Sequence, residues 1–395
     1  MHKVLHGGRR DDPLAVWAAA HDLPAPLRPR DDLTLLDAAL EPVEPYAGPV
    51  RPDGSLHPEA PRLVPRESWA GLAQEVAQRQ EAQLRALADP RPDPVGPPLP
   101  LVTAWSESAA AQLCVELAED GLPFDRAEAE RILRSSVGDG DRATRDAPVL
   151  ALVPDDRPDL HNPADVKELL ARHGIDVPDT RSWRLEPHRA HPLVGALLTW
   201  RKAERLATTY GYGWLDEHLG ADGRLRGQWS AADGGAGRMT ASAGLHNLPA
   251  ELRPAVVAEP GQVLVRADLG QVEPRVLAAV SGDRGLASAA AADDMYTPVA
   301  QQLGCDRPTA KVAVLAAMYG QTTGTAGKAL AQMESAYPVA LSYLRAAEES
   351  GRVGRDVRTH GGRLVRSGTG GVGRYVRNAV VQGAAAELFK AWAAA

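Results

Sequence analysis

Apolar and polar residues alternate at residues 263–266, a pattern of period two that predicts a short β-strand. Val263 and Val265 would lie on one face of that strand, and a helix is expected to begin soon after it. Asp268 stands between the two elements, where a rigid support would hold its carboxylate at the edge of a cleft. Carboxylate oxygens bind hard metal ions, so Asp268 is a candidate metal ligand. Glu273, five residues later, could share the metal, shape the pocket or simply face solvent.

A hydrophobic repeat of helical period predicts a helix that begins at residue 307 and ends near residue 320. Four of its residues are spaced four apart and share one face: Arg307, Lys311, Leu315 and Tyr319. Pro308 belongs in the first helical turn, so Arg307 stands at the N-terminal end, where the helix dipole favours an anion. The two cations could hold phosphates and Tyr319 could stack on a base or sugar. An ordinary amphipathic helix with solvated charges would show the same pattern.

Two further segments carry polar residues suited to a nucleic-acid backbone. One is a predicted helix in which three of them are again four apart: Arg374, Asn378 and Gln382. Amide side chains both donate and accept hydrogen bonds, which suits contacts to sugars and to the minor groove. The other is a turn-rich loop over residues 237–249 that contains Arg238, His246 and Asn247. Taken alone, an exposed polar helix face and a generic loop explain these residues as well.

Length and composition indicate a globular protein of two or three domains, with 395 residues of which 44% are hydrophobic. Cys114 and Cys305 match neither a metal-binding spacing nor a disulfide framework. No stretch approaches the roughly 18 apolar residues of a membrane span. The first residues lack the apolar core of a signal peptide, so we expect a cytoplasmic protein without a membrane partner.

The charge is unevenly distributed along the chain. The whole chain has a net charge of −7, whereas residues 301–395 contain 12 Lys and Arg against 6 Asp and Glu, a net charge of +6. The first 300 residues therefore carry −13. This asymmetry suits a protein whose C-terminal part meets phosphates, although a surface whose charge simply varies would explain it equally well.

Taken in order, these segments resemble the family A DNA polymerases, the relatives of bacterial DNA polymerase I. The family's motif A corresponds to Asp268-Leu-Gly-Gln271-Val-Glu273-Pro-Arg275. Its motif B corresponds to Arg307-x3-Lys311-x3-Leu315-x3-Tyr319-Gly320. The loop with Arg238 and the helix with Arg374 match an upstream and a downstream segment of the family. The resemblance covers roughly residues 105–395, and four ordered motifs with matching internal spacing carry it.

The resemblance implies an α+β, mostly helical fold with the thumb, palm and fingers of a right-hand polymerase. It implies a monomeric nucleotidyl transferase, associated with the nucleoid, that adds dNTPs to the primer 3′ end of primer–template DNA in replication or repair. The corresponding ranges are 1–89 for a remnant of an exonuclease-like domain without exonuclease activity, 90–100 for a Pro-rich linker, 101–222 for the thumb, 223–280 for the palm with motif A, 281–362 for the fingers with motif B, and 363–395 for the returning palm.

The resemblance also implies a role for each motif position. Asp268 would bind two Mg²⁺ ions, and Arg307 and Lys311 would grip the triphosphate, with Lys311 able to protonate the leaving pyrophosphate. Glu273 would be the steric gate that rejects a ribose 2′-OH. The other positions of the nucleotide site are Gln271, Tyr296, Leu315 and Tyr319. The positions expected to contact primer and template are Arg238, His246, Asn247, Arg374, Asn378 and Gln382.

The chain departs from the family pattern at several positions. Leu315 replaces an aromatic residue that normally touches the incoming sugar, and Tyr296 replaces a His that contacts the triphosphate. The family's motif C, a His-Asp-Glu turn, should follow the helix of Gln382, and this chain ends before it. We therefore expect a polymerase truncated before its second metal carboxylate, which binds primer–template weakly and extends it little or not at all.

Other functions remain open at this point. A catalytically inert primer–template-binding module derived from such a polymerase is one, although it would not need the metal carboxylate Asp268. A single-subunit RNA polymerase is a second, and Glu273 argues against it because that gate would reject ribonucleotides. An unrelated nucleotide-binding enzyme is a third, but no glycine-rich loop of the P-loop or dinucleotide-binding type occurs in the sequence.

Overall fold

The structure is a computed structural model that describes residues 1–7, 11–26, 47–138, 141–320 and 325–395. Residues 8–10 and 27–46 of the predicted N-terminal remnant, 139–140 of the predicted thumb and 321–324 of the predicted fingers lie outside this part. The helices of the described residues are α1 (His2–His6), α2 (Pro13–Ala20), α3 (Ala60–Leu63), α4 (Arg66–Arg85), α5 (Leu99–Asp120), α6 (Arg126–Val137), α7 (Arg142–Leu150), α8 (Pro163–Arg172), α9 (Ser182–Leu185), α10 (Pro192–Tyr210), α11 (Tyr212–His218), α12 (Val272–Ser281), α13 (Arg284–Ala290), α14 (Tyr296–Leu303), α15 (Arg307–Tyr319), α16 (Thr325–Ala336), α17 (Pro338–Arg352) and α18 (Gly373–Ala393).

The strands are short and pair in twos within the described residues. They are β1 (Leu122–Pro123), β2 (Arg224–Leu225), β3 (Trp229–Asp233), β4 (Arg238–Ala241), β5 (Val357–Arg358) and β6 (Leu364–Val365). The pairs are β1 with β2, β3 with β4, and β5 with β6. The predicted α+β, mostly helical class is confirmed. Across the described ranges, every helix is too short or too polar to cross a membrane.

The chain divides into two compact units. The larger unit contains residues 1–113, 230–240 and 267–395. Its core is built by the apolar faces of α12 to α18, with buried side chains that include Leu277, Val299, Val314, Leu341 and Val380.

One buried carboxylate, Asp283, fixes the start of two helices in this core. Its Oδ1 accepts a hydrogen bond from the Leu286 N–H at 3.0 Å, at the beginning of α13. Its Oδ2 accepts from the N–H groups of Val339 and Ala340, both at 3.1 Å, in the first turn of α17. Because the first N–H groups of a helix lack partners within the helix, Asp283 stabilises both N-termini at once.

The smaller unit contains residues 114–229 and 241–266 and is largely helical. Asn162 is the N-cap of α8, since its Oδ1 accepts from the Ala164 N–H at 3.0 Å. Two helices of this unit are separated by a single residue, since α10 ends at Tyr210 and α11 begins at Tyr212. At Gly211 between them, a Cβ would lie 2.2 Å from the carbonyl oxygen of Ala207, so only glycine fits this bend.

The strand predicted at residues 263–266 is wrong. These residues have no regular secondary structure, and Val263 and Val265 are 83% and 89% exposed. A strand exists only when a neighbour supplies hydrogen bonds, and these residues pair with no strand of the described part of the chain. Alternation of side chains alone therefore did not produce a strand here, and Asp268 follows an exposed segment without regular secondary structure.

Candidate functional site

Helix α15 presents the predicted row of functional residues on its outer face. Asp306 caps the helix by accepting from the Thr309 N–H at 2.9 Å, and Gly320 ends it with a left-handed backbone at φ 66°. The buried face packs into the core through small side chains, including Ala313 and Ala317. Arg307 and Lys311 are exposed, so both cations are accessible to a ligand. The helix, its bounds and its shared face are therefore as predicted.

Arg307 is held by a carboxylate to which the sequence assigned no role. Its Nε donates to Asp294 Oδ2 at 2.7 Å and its Nη2 donates to Oδ1 at 3.0 Å, a two-point ion pair. The Thr297 hydroxyl donates to Oδ2 at 2.6 Å, and the Gln271 Nε2 donates to Oδ1 at 2.6 Å. Arg307, followed by Thr297, holds the pKa of Asp294 well below its usual range, and Asp294 in turn raises the pKa of Arg307.

Gln271 and Tyr296 surround this ion pair. The Gln271 Oε1 accepts from the Met295 N–H at 2.9 Å, so both ends of its amide are used to fix the segment before α14. The Tyr296 ring centre lies 5.6 Å from the guanidinium carbon of Arg307. Burial raises the pKa of Tyr296, and its ring is largely covered by the core. Tyr296 therefore lies beside the first cation of the row.

Glu273 connects three helices. On α12, its Oε2 accepts a hydrogen bond from the Tyr319 hydroxyl of α15 at 3.4 Å, and its Oε1 accepts from the Gln382 Nε2 of α18 at 3.4 Å. Burial, followed by the negative charge of Glu273, raises the pKa of Tyr319. The positive charge of Arg238 acts in the opposite direction, so Arg238 is close enough to influence this cluster.

The remaining predicted residues differ from one another in their contacts and burial. Arg374 lies against the end of α15, since a Cβ on Gly320 would be 3.4 Å from its Cγ. The Asn378 Oδ1 is buried and has no hydrogen-bond partner among the described residues. Leu315 is half-buried on the outer face of α15. His246 and Asn247 belong to the smaller unit, where the His246 Nδ1 accepts from the Ala241 N–H at 3.2 Å and the Asn247 carbonyl accepts from the Tyr210 hydroxyl at 3.0 Å.

The sequence model of DNA polymerase family A matches residues 171–394, more than half of the chain. The chain belongs to DNA polymerase family A. DNA polymerase I of Chloroflexus aurantiacus is 30% identical over 241 residues, which are 52% of this chain and 26% of that protein. The thermostable DNA polymerase I of Thermus aquaticus is 36% identical over 104 residues, 25% of this chain and 12% of that protein. The chain thus spans about a quarter of the length of the first of these family members and less of the second.

A solved family structure has the same fold. It is the POL domain of Pol1 from M. smegmatis in complex with DNA primer-template and dNTP, with a TM-score of 0.60 and 20% identity. The match covers 81% of this chain and 62% of that one. At this identity the likeness establishes the fold, and the predicted polymerase architecture is confirmed.

The carboxylate of Asp268 is suited to bind a metal ion that also contacts the phosphates of a ligand. Asp268 is exposed, and its side chain makes no described hydrogen bond or ion pair. No group of three or more His, Cys, Asp or Glu within the described ranges could enclose a metal ion. Mg²⁺ keeps several waters and binds through one or two carboxylates together with substrate phosphates, so an accessible Asp268 fits one ligand of such an ion.

Proposed function

We propose that this chain carries the nucleotide site and part of the primer–template surface of a DNA-templated DNA polymerase. The carrying observation is the cluster in which Glu273 contacts both Tyr319 and Gln382, next to the exposed row of Arg307 and Lys311. The match to family A supports this reading, because it spans residues 171–394 and so includes all five of these residues, which correspond to three separate motifs in the sequence resemblance.

In this arrangement, different residues would bind the triphosphate and the metal ion. Arg307 and Lys311, one turn apart on α15, would hold the triphosphate, and Lys311 could donate a proton to the leaving pyrophosphate. Asp268 would hold Mg²⁺, which supplies charge neutralisation at the phosphates and alignment of the attacking and leaving oxygens. Arg307 would have to exchange its contact with Asp294 for a phosphate.

The sugar and base would meet the Glu273 cluster. Glu273, held from two sides, would occupy the space that a ribose 2′-OH needs and so favour deoxynucleotides. Tyr319 would border the base, and Tyr296, Leu315 and Gln271 would shape the rest of the pocket. Primer and template would be followed by Arg238, His246, Asn247, Arg374, Asn378 and Gln382. We further infer a monomer that acts in cytoplasmic DNA replication or repair.

Binding of dNTP tests the proposal directly. Arg307→Ala and Lys311→Ala should each weaken dNTP binding to the chain with primer–template and Mg²⁺, by about tenfold for a lost charge-assisted contact. Arg345→Ala is the matched control, since Arg345 is an exposed cation of α17 that pairs with Glu334. Equal dNTP affinity in all four proteins would overturn the proposed site.

Primer extension separates the two candidate functions. Mg²⁺-dependent extension that is lost in Asp268→Asn would establish the polymerase. Primer–template binding with neither extension nor dNTP binding would instead support the non-catalytic DNA-binding module.

A further inference from the structure

The loop that carries Asp268 is fixed by few contacts of its own. Asp268 is exposed, and residues 267–270 form no backbone–backbone hydrogen bond within the described ranges. The loop ends at Gln271, which has a left-handed backbone at φ 57°. This conformation is unfavourable for a residue other than glycine and persists only where surrounding contacts impose it. Side chains from elsewhere must therefore hold the loop in place.

Arg275, in the first turn of α12, supplies such contacts. Its Nε donates to the Gly270 carbonyl at 3.1 Å, which ties the end of the loop to the helix. Its Nη1 donates to the Ala290 carbonyl, and its Nη2 donates to the carbonyls of Ala292 and Asp293 at 2.9 and 2.7 Å. Carbonyl oxygens thus occupy four of the five N–H donors of this guanidinium.

The other three carbonyls belong to the segment that joins α13 to α14. They lie at the end of α13 and just after it, where the last carbonyls of a helix lack partners within the helix. Arginine side chains commonly satisfy such groups. A cap of α13 alone would need no further contact, yet the same guanidinium also reaches Gly270. Arg275 therefore joins the loop of Asp268 to this segment.

The same segment carries the carboxylate that holds Arg307. Asp294 follows directly after the last carbonyl bound by Arg275, and it pairs with Arg307 through hydrogen bonds of 2.7 and 3.0 Å. Gln271 contacts the segment a second time, because its Nε2 donates to Asp294 Oδ1 at 2.6 Å. Two side chains next to the loop of Asp268 thus connect it with the first cation of the row on α15.

We propose that Arg275 is a positioning residue, which sets the place of the Asp268 carboxylate relative to the two triphosphate cations of α15. In this role it acts through the Gly270 carbonyl, two residues after Asp268, and contacts neither metal nor nucleotide. The metal and the triphosphate rest on the proposed function, whereas the four hydrogen bonds of Arg275 do not. Position matters because an ion bound by Asp268 must also meet phosphate oxygens, and loss of an outer-shell partner typically lowers metal affinity by about 10- to 100-fold.

Binding of inorganic triphosphate with and without Mg²⁺ tests this role. Arg275→Gln removes the guanidinium, and Arg275→Lys has all its donors on one nitrogen, so it can keep only part of the contacts. Arg284→Gln is the matched control, since Arg284 is an exposed cation of α13 whose side chain makes no described hydrogen bond or ion pair. Calorimetry measures the affinity in EDTA and over a series of Mg²⁺ concentrations.

Arg275→Gln should bind triphosphate like the parent in EDTA, because Arg307 and Lys311 remain. It should need about tenfold more Mg²⁺ to reach half of the tightening that Mg²⁺ produces. Arg275→Lys should restore part of this shift, and Arg284→Gln should show none. In the background of Asp268→Asn, where the metal carboxylate is absent, Arg275→Gln should cause no further change.

An unchanged Mg²⁺ requirement in Arg275→Gln would overturn the proposal. An equal loss of affinity with and without Mg²⁺ would also overturn it, because a general loss of structure produces that result. An equal shift in Arg284→Gln would mean that only the positive charge matters, and a shift that persists in Asp268→Asn would mean that Arg275 does not act through Asp268.

Hydrogen exchange separates this inference from the proposed function. Two amides report on the joint between loop and segment, because the Arg275 N–H donates to the Gln271 carbonyl at 3.2 Å and the Met295 N–H donates to the Gln271 Oε1 at 2.9 Å. Peptides that contain these amides should exchange faster in Arg275→Gln than in the parent, while peptides from α18 should not change.

The two measurements can fail independently. If exchange rises at the joint but Mg²⁺ does not tighten triphosphate binding to the parent, the proposed metal site fails and the role of Arg275 in fixing the loop stands. If Mg²⁺ tightens binding to the parent and exchange at the joint is unchanged in Arg275→Gln, the proposed site stands and the positioning role of Arg275 is overturned.

Discussion

Replacement of Glu387 by Gln should remove a pH dependence of stability from the larger unit. Glu387 lies on α18 and is 7% exposed. It accepts hydrogen bonds from the Thr359 hydroxyl at 2.5 Å and from the Gly361 N–H at 3.1 Å. Burial raises the pKa of this carboxyl from 4.5 to about 7, because the charged form loses its hydration.

Other ionisable groups surround Glu387 and modify this effect. They are Arg363, Glu107, Lys390 and Tyr343. Arg363 favours the charged form of Glu387 and Glu107 disfavours it. Lys390 is fully buried and donates to Glu107 Oε1 at 2.6 Å and to the Gly237 carbonyl at 2.5 Å, so its charge has partners of its own. Desolvation remains the largest influence on the pKa of Glu387.

The sign and size of the pH dependence of stability follow from proton linkage. With a pKa of about 7 when folded and 4.5 when unfolded, Glu387 binds more protons in the folded chain between these values. The free energy of unfolding therefore falls as pH rises from about 4.5 to 7 and is level above, with a total loss of about 3 kcal/mol. Gln cannot ionise, so the variant should gain about 2.5 kcal/mol on the parent between pH 5 and pH 8.

Urea unfolding at pH 5, 6, 7 and 8 measures this difference, with midpoints compared at a shared slope. Glu349→Gln is the control, because Glu349 is an exposed carboxyl of α17 paired with Arg352 at 2.8 Å. Its unfolding midpoint should follow that of the parent from pH 5 to pH 8. A difference between Glu387→Gln and the parent that stays constant with pH would refute the reasoning.

Three further variants probe the core and the site. Asp283→Ala should lower the free energy of unfolding by roughly 2 kcal/mol in urea titrations, because one carboxylate caps two helices. A free energy of unfolding equal to that of the parent within error would contradict the double cap. Asp294→Asn removes the negative charge that holds Arg307. Calorimetry should then detect tighter binding of inorganic triphosphate, because Arg307 no longer has to leave an ion pair. Weaker binding would mean that Asp294 positions Arg307 for the triphosphate instead of competing with it. Glu273→Ala should bring the affinities for dNTP and rNTP on primer–template closer together, and it removes the hydrogen-bond acceptor of Gln382. An unchanged ratio of dNTP affinity to rNTP affinity would rule out the steric gate.

Much of helix α15 was readable in the sequence. Pro308 in its first turn and Gly320 after its last residue mark its ends, and the spacing of four between Arg307 and Lys311 puts both on one face. These features are local, because helical hydrogen bonds join residues four apart and caps act within one turn. The ordered motifs likewise indicated the family that the comparison established.

The contacts that assemble the site required the tertiary structure. Gln382 and Glu273 are 109 residues apart, and Arg307 meets Asp294 from 13 residues away. No local pattern encodes such pairs, since they depend on how separate helices pack against one core. The raised pKa of Glu387 has the same origin, because burial decides the cost of its charge.

The segment at residues 263–266 separates what the sequence determines locally from what depends on tertiary contacts. By itself the sequence determined helix ends, shared faces and the family motifs, all of which depend on neighbours along the chain. Strand formation depends on a partner strand, and the alternating residues here have none in the described structure. Only the tertiary structure decided which side chains became neighbours and which charges were buried, because packing brings together residues that are distant in the sequence.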